Sequence, residues 1–161
     1  MTPDTFAQLI EMKRWADRGL YAAVGEALGR LGAEDATLML RVLDHIHAVD
    51  RIFQHHLMAV PHGFKAARSE ELPTFEALAE SAREVDDWYG DYVRGLWEDD
   101  LAQPIDFVFT SGKPARMTRG EILLHVCLHG AYHRGNAGAV LQLKGLKPSP
   151  DALTDYLEAA A

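Results

Sequence analysis

The chain has a single cysteine, Cys127, so no intrachain disulfide can brace it and a reducing cytoplasm is the simplest setting. No apolar stretch approaches the roughly 20 residues that a membrane span requires. Met1 to Met12 lacks a basic start followed by an apolar run, which argues against a signal peptide. Basic residues are in short supply: 16 Lys and Arg face 24 Asp and Glu, a net charge of −8. A surface of that sign repels phosphate backbones, and no Lys/Arg-rich run supplies a local exception. Nucleic acid and membrane are therefore not expected as partners. Linkers, internal repeats and low-complexity stretches are also missing.

What is present suits one helical domain over residues 1–161. From about Asp4 to Gly29, apolar residues recur at helical spacing (Phe6, Leu9, Met12, Ala16, Leu20, Ala23, Leu28), with Asp4 or Thr5 as cap. A second amphipathic segment runs from about Asp35 to Met58, before Pro61 and Gly63. The third runs from Thr74 to about Trp97. Ile105 to Phe109 and Lys113 to Met117 flank a Thr110-Ser111-Gly112 turn signal and predict a short β-hairpin. The fourth helix opens with a capping box, Thr118 and Glu121, and ends near Lys144 before Gly145. Asp151 to Leu157 predicts a short closing helix. The expected fold is all-α, a four-helix bundle with a hairpin between its third and fourth helices.

Eight histidines are many for this length, and helical phase sorts them. On the second helix His45 falls between Val42 and Val49, within a seam that also holds Leu38 and Ile52, so it points inward. His47, about 200° away, should face solvent. His56 shares the phase of His45 but lies about 16 Å further on, too far to share an ion with it. His55, His56 and His62 read as helix-end and loop residues. On the fourth helix His125, His129 and His133 stand at i, i+4 and i+8 along one face. Two histidines at i and i+4 can grip one metal, so the pair is 125/129 or 129/133, and His129 belongs to both. Burying several imidazoles needs many partners, which coordination supplies. Inward His45 completes the donor set.

The string His129-Gly130-Ala131-Tyr132-His133-Arg134-Gly135-Asn136 resembles the H-x-x-Y-H-R-G-Q segment of the DinB/YfiT-like metalloprotein superfamily. Arg14-Trp15-Ala16-Asp17 is similar to its W-A-N element, and Leu43 to Phe53 to its L-x-H-[IL]-x-x-x-D-R-[IL]-[WF] motif. Met117 to His125 resembles the lead into its last bundle helix. The resemblance covers nearly the whole chain. It implies a four-helix bundle, often homodimeric, holding a divalent ion (zinc or nickel) through His45, His129 and His133. Two departures stand out: Asp17 where Asn is usual, and Asn136 where Gln is usual.

Three neutral imidazoles leave a coordination position open, the arrangement of a catalytic zinc site. The resemblance implies a metal-dependent enzyme, either a thiol-dependent S-transferase or isomerase acting with a low-molecular-weight thiol, or a hydrolase. The alternative is a non-catalytic metal-binding protein induced by stress or DNA damage. No general acid or base is evident. Tyr132 reads as a proton donor or a packed aromatic, and Asp17 and Asp50 as residues that could orient the ligands. An ion pair with Arg134 or Arg51 suits Asp50 better. Gly135 and Gly138 suggest close helix approach, and Trp15, Trp88 and Trp97 read as core or interface residues.

Overall fold

Four long helices carry the computed structural model, which describes residues 1–161: α1 (Pro3–Ala27), α2 (Ala33–Leu57), α3 (Phe75–Arg94) and α5 (Arg119–Leu143). A short α4 (Glu98–Leu101) and an antiparallel hairpin, β1 (Pro104–Val108) with β2 (Pro114–Thr118), join α3 to α5. A final helix, α6 (Leu153–Ala159), packs on α1. The chain is thus an all-α four-helix bundle with a hairpin before its last long helix.

Local chemistry sets the ends. Thr2, rather than Asp4 or Thr5, caps α1, because Pro3 fits the first helical position and leaves the Thr5 amide to donate to Thr2 Oγ1. Thr118 and Glu121 form the expected capping box on α5: the Glu121 amide donates to Thr118 Oγ1 and the Thr118 amide to Glu121 Oε2. The third helix stops at Arg94, capped by Gly95, which leaves Trp97 beyond it and 81 % exposed, neither helical in α3 nor core.

α1 packs on α3 and α5, and α2 packs on the same two helices, so α1 and α2 occupy opposite corners of the bundle. Helix α2 therefore buries a wide arc between its two neighbours. Between Leu43 and Asp50 only His45 is not fully buried. Leu38, near the start of α2, departs from the expected seam and is exposed.

The core comes in two apolar clusters. One gathers Phe6, Ile10, Val49, Phe53, Tyr89 and Val126 with their neighbours; the other gathers Leu20, Val24, Met39, Leu43, Leu78 and Leu141. Between them lies a charged layer to which every long helix contributes. Lys13 Nζ lies 2.7 Å from Asp17, 2.8 Å from Asp50 and 2.7 Å from Asp86, and Arg134 Nη1 reaches Asp17 at 3.0 Å. Arg134 also grips Asp151, tying the segment before α6 to the bundle.

The hairpin lies over one end of the α2–α5 side. Phe107 is buried there against Phe53 (ring centroids 5.6 Å) and stacks on His56 (4.5 Å). Gly112, at φ +84°, supplies the left-handed residue of its turn.

Candidate metal centre

Helix α2 delivers His45 and helix α5 delivers His129 and His133 to one place. One donor nitrogen from each of the three rings lies within 4.8 Å of the others. His45 Nε2 and His129 Nε2 are 3.1 Å apart, and the three ring centroids are separated by 4.5–4.8 Å. Two nitrogens bound tetrahedrally at about 2.0–2.1 Å would stand about 3.3–3.4 Å apart, so this spacing suits a shared ion.

The tautomer of His45 also suits it. Its Nδ1–H donates to the carbonyl oxygen of Ala67 at 2.6 Å, an atom that can only accept, which leaves Nε2 as the lone pair facing His129. Ala67 belongs to the segment between α2 and α3. That segment is held down next door, where the Ser69 amide donates to Asp44 Oδ2 at 3.0 Å. Without an ion, a single proton on His129 Nε2 can sustain the contact with His45; a divalent ion would be held by both Nε2 lone pairs, the His129 proton having moved to Nδ1, and by His133. At His133 the partner is Asn136, whose amide lies 3.3 Å from Nδ1. With its oxygen turned to that position, Asn136 accepts from Nδ1–H and leaves Nε2 free.

His129 and His133 are kept neutral. Burial, then the adjacent His133, His45 and His125, push His129 down to about 3. Burial, and then His45, lower His133. Neutral imidazole is the form that binds a metal, so at pH 7 neither ring of the pair has a net proton to lose.

His125 faces the same side but stands apart, its ring 5.6 Å from His129 and 4.7 Å from Phe53. The structure therefore brings together 129/133 with His45, not 125/129. We expect His125→Ala and His47→Ala each to retain stoichiometric metal when the dialysed proteins are measured by elemental analysis. Metal lost from His125→Ala but kept by His133→Ala would reverse the register.

Several expectations for the surroundings do not hold. His47 is buried rather than solvent-facing, 9 % exposed, with Nε2 2.9 Å from Ser81 Oγ, because α3 covers the far side of α2. Burial, then the Arg51 charge, hold it down at about 4. Asp50 pairs with Lys13 instead of Arg134 or Arg51, and Asp17 with Lys13 and Arg134, so neither carboxylate orients a histidine. The Ala67 carbonyl does that for His45. Tyr132 is 69 % exposed with its ring edge-on to His133, not packed in the interior. A Cβ on Gly135 would meet nothing, and one on Gly138 would only touch Pro148 at 3.4 Å. The tightest glycine of α5 is Gly130, where a Cβ would press on Arg134 Nη1 at 3.0 Å and on Lys13 Cε at 3.7 Å.

Sequence reasoning passed over Lys13, Asp86 and Asp44. The signal for the first two is phase: Lys13 follows Ile10 by three, and Asp86 follows Ala82 by four, so both fall on core faces. Nothing local marks Asp44 as the anchor of a distant loop. Its role is testable: Asp44→Ala should weaken metal binding about tenfold by loosening Ala67, the low end of what losing a residue that supports a ligand costs. An unchanged affinity in a competition titration would show that the loop stays without it.

A second group of donors, Asp17, Asp50 and Asp86, also converges. The Lys13 ammonium fills the space between them, so this group already holds its cation.

Among comparisons with known proteins, the model of the DinB family matches residues 26–161. No curated protein and no solved structure matches the chain.

Proposed function

The chain belongs to the DinB family, and on that premise we propose that it binds one divalent ion, zinc or nickel, through His45, His129 and His133, and uses it in catalysis. The observation that carries this reading is the meeting of three imidazoles from two helices, with Nε2 of His45 left free to bind by the bond from its Nδ1 to the Ala67 carbonyl. Three such ligands leave a position for a reacting group. When bound, an ion there supplies Lewis acidity: it lowers the pKa of a bound water or thiol and polarises a carbonyl. The reading is a thiol-dependent S-transferase or isomerase using a low-molecular-weight thiol, or a hydrolase. The protein's own part is to orient the ligands and to shelter one side of the site with Phe53 and Phe109.

The other reading is a non-catalytic metal-binding protein of a stress or DNA-damage response. It draws on the lack of a carboxylate beside the histidines: no Asp or Glu lines the adjoining pocket, which leaves His125 as its one candidate base. Elemental analysis combined with a small-thiol and ester turnover screen separates them. Stoichiometric metal with thiol-dependent turnover supports the enzyme. Stoichiometric metal with no turnover on any member of the panel favours the second reading, and no metal at all sinks both.

We further propose that the protein works in the cytoplasm as a homodimer. No helix is long and apolar enough to cross a membrane. Helix α5 leaves Leu128, Tyr132 and Leu143 exposed on its outer side, with Ala131, Gly135 and Ala139 between them, an apolar face suited to a second copy. Leu128→Glu should halve the mass measured by light scattering while leaving the helical signal intact; a monomeric wild type would refute the dimer.

A further inference from the structure

We infer that the substrate of this centre presents a compact, uncharged apolar group, which lodges in a pocket walled by Val49, Ile52, Phe53 and Phe109. This deepens, and rests on, the reading that the three histidines hold a metal. The pocket has a volume of about 220 Å³ and is shared by two of those histidines, His45 and His129, so whatever fills it lies against the proposed ion. At about 30 Å³ per water-sized group, it takes roughly seven heavy atoms, the size of one aromatic ring or a branched alkyl chain.

Its chemistry is selective. The side chains that are neither apolar nor proposed ligands are those of Thr110 and His125. These can serve one hydroxyl, carbonyl or similar group. No Lys, Arg, Asp or Glu lines it, so an ammonium, or an anionic group that does not face the proposed ion, would be desolvated without a partner. The net charge of −8 adds a repulsion for anions approaching from outside. A charged thiol carrier would therefore keep its charges in solvent, while the group undergoing transfer or hydrolysis occupies the pocket. The outer wall comes from the hairpin, since Phe109 and Thr110 begin its turn. Changes there alter specificity without touching a proposed ligand.

The test uses two matched probes, 4-fluorobenzyl alcohol and 4-fluorobenzoate, titrated into metal-free, zinc-loaded and cobalt-loaded protein and followed by fluorine NMR. In the metal-free protein the alcohol should bind saturably and at least tenfold more tightly than the benzoate. Its resonance should broaden with cobalt and not with zinc, placing it beside the ion. Phe109→Ala should weaken the alcohol at least threefold, and Thr110→Lys should raise benzoate binding at least fivefold; both positions are exposed turn residues whose replacement spares the core. Equal or tighter binding of benzoate to the metal-free wild type overturns the inference, as does alcohol binding that cobalt does not broaden. If the protein takes up neither metal, the metal reading fails by itself, and the inference that the pocket serves that centre is overturned with it, whereas the probe preference of the metal-free protein still reports the pocket's selectivity.

Discussion

Replacing Lys13 with methionine is expected to cost about 3–5 kcal/mol of stability at neutral pH, a large part of the roughly 5–15 kcal/mol that a domain commonly has. The Lys13 side chain is 2 % exposed, and its ammonium is the shared partner of Asp17, Asp50 and Asp86, which lie on three different helix surfaces. Methionine fills much the same space but leaves three buried carboxylates with only Arg134 to offset them. The acid groups already outweigh the cations. Burial, with Lys13 working against it, pushes Asp50 up to about 6 and Asp86 to about 7 from an ordinary 3.8. A carboxyl whose folded pKa exceeds its unfolded value stabilises fully below the unfolded value and loses that contribution as pH rises through the folded one. Without Lys13 both should rise further. The deficit of Lys13→Met should then be greatest above pH 7 and shrink towards pH 4. Adding Asp86→Asn should recover part of it at pH 7, because one of the stranded charges is gone. Urea unfolding across this pH range measures all three effects. A deficit that does not vary with pH would mean that Lys13 acts through packing alone.

The second large effect is on metal affinity. His129→Ala should lower it more than a hundredfold, beyond the roughly 10–100-fold typical of losing a residue that merely supports a ligand. His129 closes a triangle with the other two rings, 3.1 Å from His45 by its Nε2 and one helical turn from His133, so without it only two of the three proposed ligands remain. The helices should persist. His129 is half-buried, alanine is the best helix former, and the apolar clusters on both sides of the charged layer are untouched. The variant should therefore keep its far-ultraviolet circular dichroism while lacking the gain in melting temperature expected of wild type on adding zinc. Full metal occupancy in His129→Ala would remove this residue from the site.

Much of this arrangement is legible in the sequence because helical phase is local. The capping box at Thr118 starts α5 where expected, and the i, i+4, i+8 histidines share a face. Phase alone leaves 125/129 and 129/133 open, and the motif resemblance points to the second pair, the one the fold brings to His45. Phase fails where the surroundings are not local. His47 is hidden by α3, which no property of α2 announces. Lys13 looks like an ordinary surface charge until Asp50 and Asp86 are brought to it from two other helices. The group that sets the His45 tautomer is a main-chain carbonyl 22 residues away, which leaves no side-chain signature. The apolar pocket depends on how the hairpin folds over α2 and α5, and the turn signal at Thr110-Ser111-Gly112 locates the hairpin without aiming Phe109.

The central claim is that the ion's protein ligands are three imidazoles, and X-ray absorption at the zinc edge reads that shell directly. The account predicts three histidine nitrogens at about 2.0–2.1 Å with at least one further light atom, falling to two histidines or to no bound zinc in His129→Ala. A shell of carboxylate oxygens, a sulfur at about 2.3 Å, or an imidazole count unchanged by that substitution would contradict it.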